Sequence, residues 1–441
     1  MSAPSISSGD TAWVLVSTAL VLLMLPGLAL FYGGLVRARA ALNTLMMSFA
    51  GLAVVSIQWV LFGYAMAFGS GRVIGNFDWL GLTGVGQGAG PYSNTVPHLA
   101  FATFQVMFAG ITLALISGAM VERIRFRAYL VFALLWTTFV YDPIAHWVWG
   151  SDGWLRQLGA LDFAGGTVVH VSAGTAALVA AIMLGRRRDV GRTPLRPHNI
   201  VYTLIGAGLL WVGWLGFNGG SALAANGVAA NALATTHVAA SSGLITWLVI
   251  DALRTGQTTA VGGATGAVVG LVAITPAAGY VTPVAAIAIG TLGAVASYAA
   301  IQVRNRTRVD DALDVFACHG VAGIVGALLT GVFATRAVNP AGADGLLAGN
   351  PRLVLVQALA VLTTMAVAAP VTAVILLRIS LVALVRVPLR DELTGIDVSE
   401  HGEHAYHDID ASPIAGPGGR LGESVFVASE SKADYPTRGA A

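Results

Sequence analysis

Two histidines interrupt runs that are otherwise apolar: His170 within 163–185 and His319 within 315–334. An ionisable side chain inside a hydrocarbon-spanning segment is costly and marks function by default. A neutral imidazole carries one donor and one acceptor nitrogen and changes charge near neutral pH. A pair of them can share a hydrogen bond, offer an acceptor to a small polar solute, or hold a haem iron from both sides. The bland alternative, a neutral histidine bonded to a neighbouring helix, loses weight because both open the same H-x-x-x-G spacing, with Gly174 and Gly323. Asp162 precedes His170 at the start of the same span, where it can cap a helix and set a negative charge above any passage. Phe104, Phe108, Trp147, Trp149, Trp214 and Phe217 fall at outer helix ends. An interfacial aromatic belt accounts for most of them, although a ring face can also hold a bare cation by about 1–2 kcal/mol. Ser221 follows FNGG and can accept a hydrogen bond beside such a ring.

The elements that position these residues follow from composition. Of 441 residues, 56% are hydrophobic and 10% charged, against about 25% charged in soluble domains. Too little polar surface remains to face water, so the solvent is lipid. A bilayer needs about 20 apolar residues per helix, and the long continuous runs favour helices over an alternating barrel pattern. Eleven spans are expected: 11–36, 42–69, 98–121, 128–149, 163–185, 199–220, 231–251, 258–278, 282–303, 315–334 and 353–378. The first run is too long for a signal-peptide core and has no basic start. With the N-terminus outside, the inner loops and the tail carry 20 of the 24 basic residues and the outer loops only Arg72, Arg156, Arg336 and Arg352, which supports N-out, C-in and an odd helix count. Net charge is +2, and the single cysteine, Cys318, excludes disulfides within the chain. Residues 1–385 read as the membrane domain and 386–441 as a cytoplasmic tail. The tail holds His401, His404 and His407, and its stretch 411–441 has the Pro, Gly and Ser content of a disordered segment.

An internal repeat is also visible. ALD at 160–162 leads to His170, and ALD at 312–314 leads to His319; FYGG at 31–34 is echoed by FNGG at 217–220. One member of each pair lies in helices 1–5 and the other in helices 6–10. Five is odd, so the second half inserts with opposite polarity, as in transporters whose site lies between inverted halves. The all-α fold is thus an inverted five-helix repeat plus an eleventh helix.

FYGGL (31–35), ERIRF (122–126), PIAHWVWG (143–150), DFAGGTVVH (162–170), GWLGFNGGS (213–221), TPAAGY (275–280), DVFACHG (314–320) and the tail GIDVSEHGEHAYHD (395–408) together resemble the Amt/Mep/Rh ammonium transporters, in the bacterial Amt branch. The resemblance runs from about residue 10 to 408. It implies a homotrimer of eleven-helix subunits in the cell (inner) membrane, a pore in each subunit, and a transport protein rather than an enzyme, with no cofactor. By resemblance, Phe108, Trp149 and Ser221 match an outer ammonium recruitment site, supported by Asp162. Phe108 and Phe217 match stacked rings closing the pore, His170 and His319 a histidine pair in the lumen, and Trp214 a pore-wall residue. A PII-type signalling protein is the implied partner on the cytoplasmic face. Two positions depart from the pattern: Asp142, where an apolar residue is expected near the outer mouth, and Thr265, in place of a serine. Three alternatives stay open: a redox protein with haem between the histidines, an ammonium sensor on the same scaffold, and a Rh-like channel for another small gas. The DFAGG segment and Trp149 favour the Amt branch over the last.

Overall fold

The computed structural model describes residues 5–192 and 195–406. Among them, ten helical segments are long and apolar enough to cross a bilayer, and one shorter apolar helix completes a set of eleven. In chain order they are α1 (Ser8–Leu35), α2 (Ala38–Phe68), α3 (His98–Met120), α4 (Phe126–Leu158), α5 (Gly166–Leu184), α6 (Ile200–Gly220), α7 (Gly227–Thr255), α8 (Ala260–Ile274), α9 (Pro283–Asn305), α10 (Phe316–Phe333) and α11 (Arg352–Val382). A two-strand hairpin, β1 (Ala89–Gly90) and β2 (Ser93–Pro97), lies between α2 and α3.

Local chemistry fixes several helix starts. Asn226 accepts from the Val228 and Ala229 amides at 3.0 and 3.1 Å and opens α7. Thr259 accepts from Gly262 N at 3.0 Å and opens α8. Thr282 caps α9, and Pro283 fills its first position, where the missing N–H would be unpaired anyway. The expected span 258–278 is shorter as a helix. It stops at Ile274, because Pro276 cannot donate to a continuing ladder, and residues 275–280 form a turn.

The two halves meet along their first helices. α1 runs against α6, and the contact requires glycine: a Cβ on Gly206 would lie 2.3 Å from the Phe31 amide nitrogen. α7, α8 and α9 pack as a second group. α3 and α5 are the most enclosed of the ten longer helices, so the residues they carry form the interior.

At the α3–α4 end that bears the basic loops, Arg123 is fully buried and bonds Asp310 at 2.7 Å. Arg187 bonds Glu122 at 3.0 Å and Asp310 at 2.9 Å, and Arg37 bonds Glu122 at 2.9 Å. Burial alone would raise the Asp310 carboxyl, but the Arg187 hydrogen bond and the Arg187 and Arg123 charges hold it down at about 2. Glu122 is held low in the same way by Arg187 and Arg37, against the effect of its burial. The compact unit continues past the last membrane helix to Ala405. Short helices α12 (Leu389–Thr394) and α13 (Ile396–His401) follow. Arg386 bonds the Leu184 and Arg186 carbonyls and Glu392. Asp397 accepts from the Leu42 and Asn43 amides at 3.0 and 2.8 Å, and His401 bonds Asn43 Oδ1 at 2.9 Å. The expectation for 411–441, like His407, lies outside the described residues.

Candidate functional site

The site begins at the DFAGG turn. Asp162 Oδ1 accepts from the Gly165 and Gly166 amides at 2.7 and 2.6 Å. Oδ2 accepts from the Thr167 and Val168 amides at 2.8 and 3.1 Å and from the Thr167 hydroxyl. The first amides of a helix have no intrahelical acceptor, and one carboxylate satisfies four of them. Gly165 makes this turn with φ +114°, a conformation that favours glycine. The Asp162 carbonyl accepts from Trp149 Nε1 at 2.9 Å. The turn therefore also fixes the indole at the outer mouth. Gln357 on α11 clamps the preceding residue, taking the Leu161 amide at 2.8 Å and donating to the Leu161 carbonyl at 2.7 Å.

The same construction recurs in the second half. Asp311 Oδ2 accepts from Phe316 N at 2.7 Å, five residues on, as Asp162 does from Thr167. Both histidines then follow their acid by eight residues, each in a π-helical first turn, Gly166–Val171 and Phe316–Val321. This corrects the register read from the two ALD triplets, which paired Asp162 with Asp314. Asp314 instead binds Arg304 at 2.8 Å and takes φ +56°. Three short residues can match by composition; the cap geometry picks the equivalent acid.

α5 and α10 cross where Gly174 meets Gly320, a Cβ on Gly174 falling 2.3 Å from the Gly320 amide nitrogen. The glycine of the first H-x-x-x-G spacing thus permits the backbone contact that brings the imidazoles together. His170 Nδ1 and His319 Nδ1 are 3.4 Å apart, with ring centroids at 5.4 Å and planes at 22°. One nitrogen donates and the other accepts, so the two tautomers are complementary. His170 Nε2 has no partner. The Trp214 ring stacks on His170 at 5.4 Å, and its Nε1 donates to Thr275 Oγ1 at 2.8 Å. Rings in such direct contact leave no space for a haem disc between them, which removes the redox alternative.

Around this pair lies a cavity of about 10 Å³, lined by Leu28, Phe31, Ile111, Leu115, Trp214, Phe217 and the two histidines among others. That is the size of roughly one water molecule. Outward, Phe217 stacks on Phe108 with centroids 4.1 Å apart and planes at 20°. Phe108 faces a vestibule of 660 Å³, whose walls include Trp149, Asp162 and Ser221. Trp149 meets Phe108 edge-on at 5.8 Å. Inward, Phe31, Val268 and His319 are shared with a second vestibule of 340 Å³ that also touches Asp251, Thr265, Asp314 and Cys318. The order along one line is vestibule, ring pair, histidine cavity, vestibule.

The structure brings all eight sequence-selected residues to this line. An interfacial belt is overturned for Phe104, Phe108, Trp214 and Phe217, which are fully buried; it fits Trp147, whose Nε1 reaches the Val73 carbonyl at a partly exposed site. Asp142 is not at the mouth but buried in α4, where Gln58 donates to it at 2.6 Å. Several contributors went unread in the sequence: Gln58, Gln105, Thr275, Gln357 and Gly320. The available signal was a polar side chain inside an apolar span, but nothing in a single sequence says which one faces which helix.

Eleven apolar helices around a narrow passage with two wide mouths define a multi-pass membrane protein of the channel and transporter class. The chain belongs to the Ammonium Transporter Family, whose model matches residues 12–406. It is 50% identical over 402 residues to the ammonium transporter of Bacillus subtilis, covering 91% of this chain and 99% of that one. It is 49% identical over 410 residues to the ammonium transporter of Aquifex aeolicus, covering 91% and 94%. Among solved structures it resembles Candida albicans Mep2, with TM-score 0.84 and 36% identity over 93% of each chain. It also resembles a sensor Amt protein, with TM-score 0.82 and 28% identity, covering 89% of this chain and 98% of that one. Ammonium transport is the function this membership carries.

Proposed function

We propose that ammonium is recruited at Phe108, Trp149 and Ser221, gives its proton to water of the outer mouth or to the histidine pair, and crosses the histidine cavity as ammonia, with the proton following through the imidazoles or staying outside. The observation that carries this reading is the cavity: about 10 Å³, dry-walled, behind two stacked phenyl rings, with an imidazole pair as its polar lining. Ammonium and potassium ions are similar in size and charge, so size cannot separate them. An intact cation entering an apolar cavity carries a large desolvation penalty. Ammonium can escape it by giving up a proton, and potassium cannot. The unpartnered His170 Nε2 is a ring atom free to meet the solute. Ser221 Oγ donates to the Phe217 carbonyl at 2.8 Å, which leaves its lone pairs for an ammonium N–H. Asp162 supports the site by holding Trp149 and the α5 start; its oxygens already take five donors, so direct contact with the cation is not its role.

Ammonium uptake and ammonium-driven current in proteoliposomes test the reading, the current appearing where the proton crosses as well. His170→Ala is expected to stop the current or to admit potassium; unchanged ammonium selectivity would refute it. The placement in the cell membrane, the homotrimer and the docking of a PII-type protein are proposals that rest on the family resemblance. Mass measurement in detergent, and pull-down with a purified PII-type protein, check the last two.

A further inference from the structure

The recruitment reading leaves Gln105, a polar group of the outer mouth, unused. Gln105 lies one turn before Phe108 on α3, and residues three apart share a helix face. It lines the same 660 Å³ vestibule as Phe108, Trp149, Asp162 and Ser221. The side chain is only 9% exposed, and its Oε1 has no hydrogen-bond partner. A buried carbonyl without a donor is unfavourable unless a ligand or water supplies one.

The other acceptors of the mouth are committed or insufficient. Both Asp162 oxygens are filled by the start of α5. The Asp162 carbonyl is taken by the Trp149 indole N–H. Ser221 Oγ is a neutral acceptor but offers one oxygen to an ion with four N–H groups. Ring faces attract the charge without directing the N–H bonds. We propose that Gln105 Oε1 is a second neutral acceptor for ammonium and monoalkylammonium ions at this mouth, acting with Ser221. A neutral amide suits the task because release must remain fast, and a free carboxylate would hold the ion too firmly. The proposal rests on the outer-site reading above.

Methylammonium uptake, normalised to membrane-embedded protein, tests it. Gln105→Leu and Gln105→Met, which keep bulk and remove the carbonyl, are expected to raise KM about tenfold with the maximal rate within about twofold. Gln105→Glu keeps an acceptor in the same place and should hold KM at or below the parent value. Ser221→Ala runs in parallel. If Ser221→Ala raises KM but both Gln105 variants leave it within twofold, Gln105 is not a ligand and the proposal falls alone. A lower maximal rate at unchanged KM in Gln105→Leu and Gln105→Met would overturn it too, since that marks a packing role. If neither position moves KM, the outer-site reading fails and this inference with it.

Discussion

The crossing of α5 and α10 allows a worked test through Gly174→Ala. The new Cβ would sit 2.3 Å from Gly320 N, 2.4 Å from Gly320 Cα and 3.3 Å from the His319 carbonyl carbon, where ordinary contact begins at 3.4 Å. The overlap is about 1 Å, and every neighbour is backbone, so no side chain can swing aside. One helix must shift by about that amount. The imidazole nitrogens, 3.4 Å apart, are already at the limit of a hydrogen bond, and a further ~1 Å ends it. Overpacking of this kind costs about 1–3 kcal/mol of stability. Losing the shared hydrogen bond removes about 1 kcal/mol from the arrangement that fixes the tautomers, or roughly a five- to tenfold drop in flux. Gly208→Ala is the control, because its Cβ would meet nothing within 4 Å. The assays are thermal melting in detergent and ammonium current in proteoliposomes. If Gly174→Ala melts and conducts like Gly208→Ala, the close crossing does not set the histidine geometry, and the reasoning is wrong.

Gln357→Leu should leave the Leu161 amide and carbonyl unpaired and lower stability by about 2–4 kcal/mol; a melting temperature within 1–2 °C of the parent, by the order of magnitude expected per kcal/mol, would contradict this. Gln58→Leu strands the Asp142 carboxyl in α4, whereas Gln58→Leu with Asp142→Leu removes both partners; the double variant should melt higher than the single one. Asp310→Asn breaks a buried network with Arg123 and Arg187 and should cost about 3–5 kcal/mol. The depressed carboxyls there stabilise the fold at neutral pH, and because their folded values lie below the unfolded ones, that stability is lost in acid, for Asp310 as pH falls from about 4 towards about 2; melting scans from pH 7 to pH 3 should stay flat above pH 5 on this account. Asp397→Ala removes the carboxylate at the start of α2 at a cost of about 0.5–2 kcal/mol and should speed protease cleavage between 386 and 405; an unchanged digestion rate would show that the tail is held elsewhere.

Composition and run length were enough to place this chain in a bilayer as eleven helices, because too few charges exist to cover a water-facing surface and lipid tolerates few other backbone forms. The basic-residue asymmetry read an orientation. The two intramembrane histidines read a site, since an ionisable group among apolar ones is too costly to persist without a use. Motif resemblance supplied roles that spacing could not. Direction remained out of reach. Phe104, Phe108, Trp214 and Phe217 read as equally well suited to a lipid interface, and only packing against one another, Trp149 and His170 turns them inward. The repeat register depended on which acid caps the π-helical turn, and a triplet of common residues pointed to Asp314 where hydrogen bonding selects Asp311. Gln105 shows the same limit: one line of sequence contains it, but its lack of a partner exists only once eleven helices have closed around it. Sequence determines the solvent, the elements and the chemical inventory, because those depend on each residue and its near neighbours; the tertiary structure decides which groups face one another, because that depends on where distant helices cross.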